Sequence, residues 1–173
     1  METLGNIGSL LFLGWMSLQD FRTRTISVWL LPAIILCMLL AVWPAQETAA
    51  ELFGNFVINA LLLGIQFFVL WCVVSLRNGK WTKVVNAQIG LGDILVLLVL
   101  APFFSPVNFF VFYVFALVFA LGVTLLVRSV YPARWKQIPL AGLLALPLMV
   151  LCCLRLVYPH VISFTNDEWL LLL

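Results

Sequence analysis

Charge is scarce in this chain. Lys, Arg, Asp and Glu make up 9% of its 173 residues, where a soluble domain carries roughly 25%. So little polar surface cannot cover a chain that is 65% hydrophobic. This excludes an ordinary water-soluble domain and points to the bilayer as the solvent. Histidine occurs once, as His160, and no set of metal-ligating residues gathers around it, so neither a metal nor a cofactor is expected. The four cysteines, Cys37, Cys72, Cys152 and Cys153, lie inside apolar runs without the CxxC spacing of a zinc site. They read as small buried hydrophobes, and the adjacent pair suggests no function. A basic segment is missing ahead of the first apolar stretch, which opens Met1-Glu2-Thr3-Leu4, so a retained helix is expected there rather than a cleaved signal peptide. Internal repeats and low-complexity linkers are missing too, and one domain is expected. A net charge of +2 gives no reason to expect a nucleic-acid partner.

What is present is a series of apolar runs, at about 5–19, 28–44, 52–76, 89–104, 106–128 and 138–158. They predict an all-α, polytopic membrane protein with six transmembrane helices. A helix needs about 20 residues to cross the hydrocarbon core, and the first and fourth runs are short for that. Pro44, Pro102, Pro106, Pro132, Pro139 and Pro159 stand near the proposed ends, where they terminate helices. Pro32 lies in the first turns of the second run, and Pro147 falls mid-helix as an expected kink. The tail from Pro159 to Leu173 is too short to span, and Trp169 with its leucines suggests an interfacial segment.

The basic residues are unevenly placed. Arg22 and Arg24 lie in one loop, Arg77, Lys80 and Lys83 in a second, and Arg128, Arg134 and Lys136 in a third. With six crossings these loops share a side, while the loops at 45–51 and 101–105 hold no Lys or Arg; only Arg155 lies toward the other side. The positive-inside rule then puts the basic loops in the cytoplasm and both termini outside. The plain reading of Arg77, Lys80 and Lys83, with Trp29, Trp81 and Trp135, is as interfacial anchors; gripping a substrate is the sharper alternative.

In that topology Glu2, Glu47, Glu51, Asp167 and Glu168 face outward, which leaves Asp20 and Asp93 as the cytoplasmic-side acids. Asp20 ends the first run. Asp93 opens the strongly apolar Ile94–Leu100, where a carboxylate costs about 2.5–3.5 kcal/mol at a helix centre and usually faces protein or a water-filled cavity. Gly90-Leu91-Gly92 precedes it, and the two glycines permit close backbone approach and local unwinding. Two carboxyls sharing a site repel, so that one stays ionised as a general base while the other stays protonated and polarises a carbonyl. Water then attacks directly, with neither metal nor covalent intermediate. The plainer readings are an interfacial Asp20 paired with Arg22 or Arg24, and glycines that serve only helix packing.

Asp20-Phe21-Arg22-Thr23-Arg24-Thr25-Ile26-Ser27 resembles the first aspartate motif of the type IV prepilin peptidases and archaeal preflagellin peptidases. Gly90-Leu91-Gly92-Asp93 resembles their GxGD motif. Ile138-Pro139-Leu140-Ala141-Gly142 is similar to a Pro/Gly-rich segment that opens their last helix. The resemblance implies a single transmembrane peptidase-like domain over residues 1–173. Asp20 and Asp93 would be the catalytic pair, with Gly90, Gly92, Arg22 and Arg24 as supporting motif residues. The partner would be a prepilin-like precursor with a basic leader and an apolar helix, cut at the cytoplasmic face of a prokaryotic inner membrane. Val28 stands where the family often has Asn, and Leu95 where many members have Lys. The Cys-rich cytoplasmic domain of the long bacterial enzymes is absent, so no N-methyltransferase activity is expected. Two rival classes use the same acids: a small proton- or cation-coupled transporter, and a non-catalytic relative that binds an apolar partner.

Overall fold

Each apolar run holds a helix, and local polar chemistry sets several of the described ends. The computed structural model describes residues 2–42, 48–78, 90–130, 139–158 and 164–165. The helices are α1 (Glu2–Thr23), α2 (Leu30–Val42), α3 (Ala49–Asn78), α4 (Leu91–Leu100), α5 (Pro106–Val130) and α6 (Leu140–Val157), with a 3-10 turn at Ala101–Phe103 after α4. Among the described residues all regular secondary structure is helical, with no strand.

The caps explain the boundaries. Thr48 and Glu51 start α3 as a reciprocal capping box. The Glu51 N–H donates to Thr48 Oγ1 at 3.3 Å, and the Thr48 N–H donates to Glu51 Oε2 at 2.9 Å. Ser105 starts α5 by accepting the Asn108 N–H at 3.2 Å, and Pro106 fills the first helical position, where its missing N–H costs nothing. At the end of α1, Arg24 adopts a left-handed backbone with φ 55°, and its N–H closes on the Asp20 carbonyl at 3.0 Å.

Among the described residues, three helices are long and apolar enough to cross a membrane: Ala49–Arg77, Pro106–Ser129 and Leu140–Val157. The segments Leu30–Val42 and Leu91–Phe103 are apolar but shorter. The 89–104 run, read from sequence as one helix, is broken after Leu100, where Pro102 forces the tighter turn. Asn59 of α3 repairs that break. It is fully buried, and its side-chain amide donates to the Ala101 carbonyl at 2.8 Å and the Phe104 carbonyl at 2.9 Å. Carbonyls that end a helix in an apolar medium need such partners.

α6 is the central helix and α3 the peripheral one: 50% of the apolar stretch of α6 is buried inside the protein, against 11% of that of α3. α1 packs on α2 and α6, while α4 packs on α2, α6 and the turn that follows it. Small residues permit the α1–α2 contact. A methyl at Gly5 would collide with the backbone of Cys37 and Ala41, and one at Gly8 would lie 2.7 Å from Cys37 Sγ. Cys152 is buried, Cys37 and Cys72 are half-buried, and all four cysteines are free thiols. Cys153 departs from the sequence reading, since it faces outward.

The chain directions give the bundle two polar ends. At one end the start of α1 meets the end of α6. Arg155, read from sequence simply as an outer-side cation, is buried there. Its Nη2 lies 3.2 Å from Glu2 Oε1 and 3.2 Å from the Ala41 carbonyl, and its guanidinium sits 4.9 Å from the Phe164 ring centre. Phe164 stacks on Phe104, and its carbonyl accepts from the Ser105 N–H and the Asn108 amide. The other end gathers the end of α1 and the starts of α4 and α6. Trp81, Trp135, His160, Trp169 and the basic residues Lys80, Lys83, Arg134 and Lys136 lie outside the described residues.

Candidate active site

Asp20 is buried because it continues the inward stripe of α1. Leu13, Met16, Ser17 and Asp20 are all buried at three- and four-residue spacing, and Asp20 is only 6% exposed. Asp93 occupies the matching place at the start of α4, one turn before the buried Val96 and Leu97. A carboxylate on an inward face needs hydrogen-bond donors. Both aspartates face backbone amides at one place, the start of α6.

The Gly142 N–H donates to Asp20 Oδ2 at 2.7 Å. The Ala141 and Gly90 backbone amides lie near enough to the Asp93 carboxylate to act on its charge. These α6 amides belong to the first turn of the helix, where backbone N–H groups have no intrahelical partner. Two successive amides therefore face two carboxylates carried by different helices, Gly142 bonded to Asp20 and Ala141 acting on Asp93. Asp20 and Asp93 are close enough for the charge of one to act on the other, and the positive end of the α6 dipole faces that shared charge.

Each glycine at the site has a distinct job. A methyl on Gly90 would lie 2.9 Å from Asp93 Oδ2, so the absent side chain leaves room for Asp93 to turn back on the start of its own helix. A methyl on Gly142 would lie 3.2 Å from Asp20 Oδ2 and 3.3 Å from the Ser17 carbonyl. Gly92 matches the packing reading of the motif glycines. It sits inside regular helix rather than unwound chain, and a methyl there would lie 3.0 Å from Ile26 Cδ1. Its role in the structure is close packing.

Asp20 is bonded to the Gly142 amide, in addition to any pairing with a neighbouring arginine. Arg24 lies near enough to interact electrostatically with Asp20, whereas Arg22 is exposed on the last turn of α1. Ser17 is a site residue that sequence reasoning missed. Its hydroxyl donates to the Gly142 carbonyl at 3.2 Å, so Ser17 and Asp20, one turn apart, hold both polar groups of the same glycine. The available signal was the Pro139-Leu140-Ala141-Gly142 start of α6, which carries exposed amides and no side chain at its third helical position. Among the described residues, no three His, Cys, Asp or Glu side chains are grouped to hold a metal ion.

The comparisons with known proteins bear on this site. A model of the type IV leader peptidase family matches residues 7–127. That stretch covers more than two-thirds of the chain and contains both aspartates, but ends before α6. No curated protein and no solved structure matches. The extent of the family match is enough to place the sequence: the chain belongs to the type IV leader peptidase family.

Proposed function

We propose that the protein is an intramembrane aspartyl endopeptidase in which Asp20 and Asp93 activate the attacking water. The observation that supports this reading is the Gly142–Asp20 bond at the start of α6, with Asp93 close enough to feel both the charge of Asp20 and the neighbouring Ala141 amide. One carboxyl, ionised, removes a proton from water. The other, protonated, donates to the scissile carbonyl. The α6 amides hold the pair in place and offset its negative charge, so the site does not rearrange as charge moves during the reaction.

In this reading residues 1–173 form one peptidase domain, and all six helices cross or enter the bilayer. α2 and α4, about 20 and 15 Å long at 1.5 Å per residue, use a locally thin membrane or end among protein and water. Arg22, Arg24, Arg77 and Arg128 all lie at or just beyond the ends of α1, α3 and α5. That arrangement supports a site at the cytoplasmic face with both termini outside. The substrate is a prepilin-like precursor whose basic leader stays in the cytoplasm while its apolar helix enters the bilayer.

The test is incubation of purified protein in detergent with a panel of such precursors, with the cut located by mass spectrometry. Cleavage near the leader–helix junction supports the reading. An intact panel contradicts it, and proton or cation flux in sealed vesicles would then favour transport.

A further inference from the structure

α1 and α4 carry one aspartate each, yet their main packing partners are α2 and α6. Besides the α6 amides, a second connection joins the aspartates, through the chain reversal that follows α1. Arg24 sits there at φ 55°, a backbone that a side chain larger than glycine adopts only when its surroundings enforce it. The Gln19 amide enforces it from both sides. Its Nε2 donates to Ser27 Oγ at 2.6 Å, and its Oε1 accepts the Ser27 N–H at 3.3 Å. Thr23 Oγ1 adds contacts to the Gln19 carbonyl at 2.9 Å and to Thr25 Oγ1 at 2.8 Å. The loop is thereby turned back so that Ile26 lies against Gly92, filling the space a side chain there would take. The anchors are placed alike, since Gln19 immediately precedes Asp20 and Gly92 immediately precedes Asp93.

We propose that Gln19 and Ile26 are positioning residues that set the spacing of the two aspartates, with the Gln19–Ser27 bonds closing the loop and Ile26 bearing on Gly92. The proposal rests on the reading of Asp20 and Asp93 as the catalytic pair. Ile26 acts as a strut: moving it by a few tenths of an ångström moves the backbone next to Asp93 while Asp20 stays fixed on α6. A pair that must share one proton is sensitive to such a change.

The experiment uses the full-length purified protein and a prepilin-like precursor, comparing Gly92→Ala, Ile26→Val, Gly92→Ala/Ile26→Val and Gln19→Ala. Gly92→Ala puts a methyl 3.0 Å from Ile26 Cδ1, and Ile26→Val deletes that atom. The expected result is a kcat about tenfold lower for Gly92→Ala and for Gln19→Ala, with little change in KM and a displaced pH–rate profile. Adding Ile26→Val to Gly92→Ala restores the rate to within about threefold of wild type. A double variant no faster than Gly92→Ala overturns the proposal. So does Gln19→Ala with wild-type kcat and pH profile, a result that stands even where the Gly92 variants fail to fold. Asp20→Asn and Asp93→Asn serve as controls. If either cuts normally, the catalytic reading falls and the proposal with it; if both are inactive, negative results overturn the proposal alone.

Discussion

Gly142→Ala should separate folding from catalysis. The added methyl would sit 3.2 Å from Asp20 Oδ2, 3.3 Å from Asp20 Cβ and 3.3 Å from the Ser17 carbonyl. Two of these three neighbours belong to the aspartate itself, so relief comes from displacing Asp20 by a few tenths of an ångström. That displacement stretches the 2.7 Å bond from the Gly142 N–H. A hydrogen bond to a charged group is worth about 1.5–3 kcal/mol, and losing much of it lowers the rate roughly 10- to 100-fold at 1.36 kcal/mol per decade. The fold should barely notice. Alanine is favoured over glycine inside a helix by about 0.8–1 kcal/mol, which offsets the crowding. The assay is kcat/KM for precursor cleavage beside thermal unfolding in the same detergent. A Gly142→Ala protein that cuts at the wild-type rate would refute the argument that α6 holds Asp20. One that unfolds far below wild type would show that Gly142 serves the fold first.

Three further outcomes follow from other parts of the structure. Glu2→Gln leaves buried Arg155 facing a neutral amide and should cost about 1–3 kcal/mol of stability. It should leave kcat unchanged, because 18 residues of helix separate Glu2 from Asp20, about 27 Å; thermal melts and cleavage rates check both halves. Asn59→Ala strips donors from the Ala101 and Phe104 carbonyls and should destabilise by about 2 kcal/mol, read as a lower unfolding midpoint. Thr48→Ala removes half of the capping box that starts α3 and should cost about 1 kcal/mol, with cleavage unaffected.

The helices were legible in the sequence because apolar runs and their terminating prolines are local features. Pro106 and Pro139 mark the starts of α5 and α6 almost to the residue, and Thr48-x-x-Glu51 spells out a helix start. Spanning was less legible. α2 is 13 residues and α4 is 10, shorter than their apolar runs, because hydrophobicity extends into the turn before α2 and the 3-10 turn after α4. Asp20 and Asp93 stood out as acids on apolar segments. Their surroundings did not, since each depends on contacts across long stretches of chain. Gly142 lies 122 residues from Asp20, and Arg155 lies 153 from Glu2. Gly92 shows the limit well. Flexibility and helix packing are both open readings of a glycine before a helical acid, and it is the approach of Ile26 that favours packing at Gly92.

The central claim is that Asp20 and Asp93 together perform the cleavage. Its most direct test is the single-turnover rate of precursor cleavage by wild type, Asp20→Asn and Asp93→Asn, each shown by its unfolding transition to be folded. The account predicts cleavage by wild type and none by either variant, because an amide can neither take the proton of water nor share one with its partner. Normal cleavage by either folded variant would contradict it.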